Sequence, residues 1–266
     1  MNDSPWYINA LERITNTLFS CLPSPKPSLR DLQKCKIVGH RGAHLGTPFI
    51  ENSLEGFIAL AEAKVWGAEM DIRWTQDLVP VISHDPDCRR LFQQPLLIAN
   101  TPFAKLREQV PLIPSLEEVV NAVGKRLHLM LEIKQEYHPQ PAQQSASLQD
   151  ILSPLKAERD YHFLTLDRTL FSLVSFAPLT SQVLVSILNT KVVSAQASEI
   201  NYGGIAGAYP FFTQKIRQQH RRFGQKIGVG HIDSKRLLFQ QIAKGTDWIF
   251  SNRALKLQTI IQEACQ

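Results

Sequence analysis

Two hydrophobic periods take turns along most of this chain. Short apolar runs, each suited to a buried strand, recur at 36–39, 67–73, 127–134, 162–166, 182–188, 204–209, 226–232 and 248–251. Between them, apolar residues return every three or four positions over 54–64, 115–123, 148–156, 168–176, 191–199, 212–223, 235–244 and 254–263. That is the spacing of a helix burying one face. Ser115 followed by Glu118 is a capping-box start. Eight such strand–helix repeats predict the α/β class and a closed parallel (β/α)8 TIM barrel. The run 79–83 reads as an extra short strand. Residues 86–111 read as a small insertion after the second strand, and the Gln/Ser-rich stretch 140–149 as a surface loop.

Ahead of the repeats, Tyr7, Leu11, Ile14, Leu18 and Leu22 mark an amphipathic helix over 6–22, which ends in the proline-rich connector 23–27. The expected division is therefore 1–34, a helix and connector, and 35–266, the barrel. With a single arginine and no lysine, the helix is expected to dock on the barrel. Trp6 and Phe19 leave peripheral membrane contact as its alternative role.

Composition narrows the classes. The 266 residues are 44% hydrophobic, enough for a large core, and the formal charge is +5. Lysine and arginine are scattered, with Arg89-Arg90 and Arg221-Arg222 the densest groups, so a solvated basic surface is expected and nucleic acid is not. Cys21, Cys35, Cys88 and Cys265 are too far apart for a zinc site and read as reduced thiols. The first residues lack a basic n-region and no run is long enough to span a bilayer, so the expected location is cytoplasmic.

The candidate chemistry lies at strand ends. Glu69 and Asp71 project from one face of a strand, and Glu132 sits inside an otherwise apolar one. An unpaired charge buried there costs several kcal/mol, so a cation is expected beside it. Three carboxylates form a hard oxygen set suited to one divalent cation, Mg²⁺ or Ca²⁺. His40 and His84 each close a strand and could move protons near neutral pH. Arg41 and Lys134 could neutralise a phosphate, and Gly42 lets backbone approach an anion.

These pieces, His40-Arg41-Gly42, Glu51-Asn52-Ser53, Glu69-x-Asp71, Thr75-x-Asp77, Val79-x-Val81-x-x-His84-Asp85, Ile113-Pro114-Ser115-Leu116-Glu117-Glu118 and Leu131-Glu132-Ile133-Lys134, resemble the glycerophosphodiester phosphodiesterase family. The resemblance covers about 36–255 in layout. It implies a metal held by Glu69, Asp71 and Glu132, and His40 and His84 as the acid–base pair. Arg41 and Lys134 would lie on phosphate, with Glu51 and Asn52 at the metal and phosphate edge and Glu51 a possible further ligand. It implies hydrolysis of small glycerophosphodiesters to glycerol 3-phosphate and an alcohol, often begun by the substrate's own glycerol hydroxyl. A lysophospholipase D or sphingomyelinase D-like phosphodiesterase is one alternative; a non-catalytic barrel that binds a phosphate ligand is another. Three departures stand out: Ile50 replaces a proline, Gly230-His231-Ile232-Asp233 replaces Trp-Thr-Val-Asn, and Phe250-Ser251-Asn252 replaces Ile-Thr-Asp. Gly230 in place of tryptophan is expected to make room for a bulkier alcohol or an acyl-bearing substrate.

Overall fold

A computed structural model describes residues 26–266. The expected helix over 6–22, most of the connector and Cys21 lie outside them. Eight parallel strands form the barrel: β1 (Ile37–Gly39), β2 (Gly67–Trp74), β4 (His128–Ile133), β5 (Tyr161–Thr165), β6 (Gln182–Ser186), β7 (Gly204–Ala208), β8 (Lys226–Gly230) and β9 (Trp248–Ser251). They pair in the order β1-β9-β8-β7-β6-β5-β4-β2, and β1 pairs with β2 to close the ring. The extra short strand is present as β3 (Pro80–Ile82), antiparallel to the end of β2. The insertion follows this hairpin.

Both faces of each strand are covered, which explains the near-continuous apolar runs. Inside the barrel, Val38, Met130, Leu164, Val183, Ala206, Trp248 and Phe250 pack together. Outside it, a larger core lies between strands and helices, with Phe57 and Leu60 of α2 (Leu54–Glu62) fully buried. Burying each such side chain contributes about 1.5–3 kcal/mol. In α5 (Leu116–Val123), Ser115 accepts from the backbone of Glu118 while the Glu118 carboxylate accepts from the backbone N–H of Ser115, the capping box its sequence predicts.

The insertion is more ordered than its sequence suggests. It holds α3 (Arg89–Phe92), one 3-10 turn (Ile98–Asn100) and α4 (Phe103–Gln109) over a small core of Val81, Cys88, Ile98, Leu106, Val110 and Ile113. One short helix carried no expectation, and two local expectations need correction. Leu29–Gln33 forms a short helix, α1, capped by the Ser28 hydroxyl. The stretch read as a loop belongs to α6 (Pro141–Leu152), where Pro141 starts the helix and Gln144, Leu148 and Leu152 bury one face at four-residue steps. Polar composition hid that face, and the helix ends at Leu152 rather than 156. The helix expected over 168–176 is a 3-10 segment, Arg168–Val174. The remaining helices are α7 (Thr190–Ile200), α8 (Gln214–Arg222), α9 (Lys235–Ala243) and α10 (Ala254–Cys265).

Cys35, Cys88 and Cys265 carry no disulfide. Burial pushes the Cys35 thiol up to about 12 and the Cys88 thiol up to about 11, so neither is a reactive nucleophile. No helix among the described residues is long and apolar enough to cross a membrane.

Candidate active site

Strand register assembles the acidic cluster. β2 and β4 run parallel with Asp71 opposite Glu132, so both carboxylates enter the barrel mouth at one level, and Glu69 sits one pleat deeper on β2. Oxygens of Glu69, Asp71 and Glu132 lie within 4.8 Å of one another. Glu69 and Asp71 are buried, and Glu132 is partly so.

The surroundings settle how three acids can share this space. Lys134 Nζ lies 2.8 Å from Asp71 Oδ1 and 2.8 Å from Glu132 Oε1. Arg41 Nε is 3.7 Å from Asp71 Oδ2. Burial alone would raise the Asp71 carboxyl, but Lys134, Arg41 and His84 outweigh it and hold it below the usual carboxylate range. Glu69 moves the other way: burial, then Asp71 and Glu132, push its carboxyl well up. Lys134 and Arg41, both placed on phosphate by resemblance, here lie against carboxylates.

The loop after β1 adds two residues in the left-handed backbone region, Arg41 (φ 57°) and Asn52 (φ 58°). That conformation is costly for a side-chain-bearing residue and concentrates at functional sites. Here it aims polar groups inward. The Arg41 backbone N–H donates to Glu69 Oε2 at 2.9 Å, and Asn52 Nδ2 donates to Asp71 Oδ2 at 2.8 Å. The Asn52 N–H also donates to the Arg41 carbonyl at 2.8 Å, locking the two turns together. Gly42 (φ 82°) completes the bend, with the Phe57 ring 3.1 Å from where a Cβ would stand.

His40 Nδ1 meets Asn252 Oδ1 at 2.7 Å, so the ring proton sits on Nδ1 and Nε2 is the open nitrogen. That nitrogen is 3.8 Å from Glu69 Oε2. Burial and then Arg41 lower the basicity of His40 and keep it neutral. His84 Nδ1 meets Asp85 Oδ1 at 2.8 Å. Its carbonyl accepts from Arg73 Nε at 3.0 Å and Nη2 at 2.7 Å, and Arg73 is held in turn by Glu136. Burial opposes the Asp85 charge, yet hydrogen bonds from His84 and Arg90 hold its carboxyl low.

Every candidate residue therefore reaches the mouth. Glu51 does so through ion pairs with Arg41, 3.1 Å away, and with Arg90. Several contributors escaped the sequence reading. Arg90, read as half of a basic surface pair, bridges Glu51 and Asp85, while Arg89 beside it stays exposed. Asn252 meets a histidine 212 positions away. Asp233 accepts from the Asn252 backbone at 3.0 Å and from the Ser251 hydroxyl at 2.7 Å. Only Asp85 carried a local signal, its place beside His84.

The cluster fits a divalent cation. Glu69 Oε1 and Asn52 Oδ1 are buried and find no hydrogen-bond partner among the described residues. Arg41, Arg90 and Lys134 face five carboxyls, Glu51, Glu69, Asp71, Asp85 and Glu132, so ionising all five would leave two negative charges unmatched. Together with burial, that repulsion pushes Glu69 up where no further cation is bound. A hard oxygen set of this kind suits a divalent cation.

A closed β/α barrel with carboxylates and imidazoles gathered at the carboxyl ends of its strands defines an α/β-barrel protein with an enzyme-like site. Residues 40–222 match the model of the glycerophosphoryl diester phosphodiesterase family, and the chain belongs to that family. It is 28% identical over 149 residues to human glycerophosphodiester phosphodiesterase 1, covering 47% of this chain and 44% of that protein, so the match spans under half of the human relative. Among solved structures, it resembles a glycerophosphodiester phosphodiesterase of Thermotoga maritima at 21% identity and a TM-score of 0.69, covering 85% of this chain and 98% of the other. It also resembles a phosphodiesterase of Oleispira antarctica solved with its product sn-glycerol-3-phosphate. That match has 20% identity and a TM-score of 0.73, covering 85% of this chain and 96% of that one.

Proposed function

We propose that this chain hydrolyses glycerophosphodiesters to glycerol 3-phosphate and an alcohol, with His40 and His84 as the proton-transfer pair. The observation that carries the reading is that two imidazoles flank the acidic cluster, each with Nδ1 engaged and Nε2 open. His40 Nδ1 is held by Asn252 and His84 Nδ1 by Asp85. Family membership and the product in the Oleispira structure support the substrate class.

Glu69, Asp71 and Glu132 would hold the cation, and Asn52, whose Nδ2 donates to Asp71, has its buried Oδ1 unpartnered among the described residues. When bound, a divalent cation supplies positive charge to the phosphoryl oxygens and polarises phosphorus. Neutral His40 has a free Nε2 and takes the proton of the attacking hydroxyl, either from water, which gives glycerol 3-phosphate directly, or from the glycerol moiety, which gives a cyclic phosphate that water then opens to glycerol 3-phosphate. His84, oriented by Asp85 and by Arg73 on its carbonyl, returns a proton to the departing alkoxide as its bond to phosphorus breaks. Arg41 and Lys134 exchange carboxylate partners for phosphate oxygens as negative charge builds.

The test is product analysis of the purified chain with Mg²⁺, Ca²⁺ or Mn²⁺ over a panel of glycerophosphodiesters. Metal-dependent release of glycerol 3-phosphate is expected, and chelation should stop it reversibly. His40→Ala and His84→Ala should each lower kcat by about 10² to 10⁴-fold with the fold intact. Ligand binding without turnover under every cation would instead make this a phosphate-binding barrel. A mutant that keeps its rate would remove that histidine from the mechanism.

A further inference from the structure

The end of the barrel opposite the carboxylates holds a cavity of about 210 Å³. Its walls come from the first residues of strands and the turns before them. Trp66 stands ahead of β2, His162 lies in β5, Lys226 opens β8 and Trp248 opens β9, with Lys36 and Phe223 beside them.

One wall residue is left with an unmet hydrogen bond. His162 is only 6% exposed. His128 Nδ1 donates to the Arg159 carbonyl at 2.9 Å, so His128 Nε2 accepts the proton of His162 Nδ1 at 2.7 Å. That relay fixes the second tautomer: His162 Nε2 carries only a lone pair. No donor among the described residues meets it, and it stays accessible on the cavity side. A nearly buried acceptor of this kind calls for a donor from outside the chain.

Charge defines the other end of such a molecule. Lys36 Nζ lies 4.8 Å over the Trp66 ring and has no ion pair among the described residues. Lys226 shares Asp247, 3.4 Å away, whose carboxylate also accepts from the Ile227 backbone at 3.0 Å. Burial and then Lys226 lower the Lys36 ammonium, against the pull of Asp247. The other acid on the lining, Glu158, stands at the exposed rim and accepts from the Thr180 hydroxyl at 2.6 Å. Asp160, behind His128, is paired with Arg159. Lys36 is thus the cation without a carboxylate. Water alone would serve His162, yet it would leave Trp248 and Phe223 wet and Lys36 unmatched.

We propose that this cavity is a second ligand site, for a small hydroxyaromatic acid: its ring against Phe223 and Trp248, its hydroxyl donating to His162 Nε2, its carboxylate on Lys36. Nothing in this site depends on the phosphodiester chemistry of the mouth. The cavity is smaller than the roughly 300–1,000 Å³ of drug-sized pockets, which limits the ligand to a single substituted ring.

The experiment titrates 4-hydroxybenzoate into the full chain by isothermal calorimetry, with benzoate as the partner that lacks the hydroxyl. Saturable one-to-one binding is expected. Benzoate should bind about tenfold more weakly, the scale of one hydrogen bond to a buried acceptor. Lys36→Gln should weaken 4-hydroxybenzoate by at least about tenfold, and Lys36→Arg should keep most of the affinity. Absence of saturable heat overturns the proposal. So does equal affinity for the two acids, or a Lys36→Gln variant that binds like the wild type, because the ligand would then sit elsewhere. The comparison of the two acids needs no substitution, so it decides the matter even where a variant disturbs the fold.

Discussion

His40 owes its orientation to an amide. Asn252 Oδ1 accepts the Nδ1 proton at 2.7 Å, and Asp233 holds the Asn252 backbone, so the Nδ1 side of the imidazole is aimed by a neutral partner. Asn252→Ala should lower kcat roughly ten- to a hundredfold with little change in KM, the usual range for losing a partner that orients an acting histidine. Asn252→Asp, which also accepts that proton, should restore most of the rate; steady-state kinetics on a soluble diester read both. At Gly230 the expected effect is on choice of substrate. A Cβ at this residue meets nothing nearer than the Gly207 carbonyl at 3.8 Å, so a side chain can start there, and Gly230→Trp should depress rates on bulky alcohols relative to small ones. Unchanged relative rates across a diester panel would reject that role.

At the scale of elements, the insertion braces the site. Its core of Val81, Cys88, Ile98, Leu106, Val110 and Ile113 anchors α3, which sends Arg90 to Glu51 and Asp85. The chain leaves it through Ser115, the cap of α5. Ser115→Ala removes the capping hydroxyl and should cost about 1 kcal/mol, seen as a lower urea midpoint at an unchanged slope. Helices were legible wherever the apolar stripe was strong, as in α2 and α5. The first half of α6 was not, because its buried position there is Gln144 and periodicity registers apolarity rather than burial.

The whole molecule has a second buried polar centre, at the amino-terminal end of the barrel. His128 Nδ1 donates to the Arg159 carbonyl at 2.9 Å, so its Nε2 accepts from His162 Nδ1 at 2.7 Å. Trp66 stacks on His128 with ring centroids 4.1 Å apart, and Trp248 meets His162 edge-on at 4.9 Å. Burial lowers His128 to about 4 and His162 to about 3, from 6.5. A depressed histidine favours the native state fully above its unfolded value, and that contribution is lost as pH falls below 6.5, where only the unfolded chain takes up the proton. Between pH 7 and pH 5 each should remove stability on the order of 1–2 kcal/mol. Urea unfolding across that range should show the loss, and His162→Phe should remove the share that His162 contributes, leaving a shallower slope.

The order of strands and helices, the eightfold repeat and the residues at the strand ends were determined by sequence alone. Burial on both faces of a strand, or on one face of a helix, leaves its period in the chain. The pairing of acids on β2 and β4 also followed, since alternation fixes which side chains share a face. Tertiary structure decided the rest: Asn252 against His40, Arg90 across Glu51 and Asp85, and the two histidines under Trp66 and Trp248. Those partners meet because closing the ring sets β9 beside β1 and folds the insertion back over the mouth. Contacts made between distant residues by closure leave no local pattern to read.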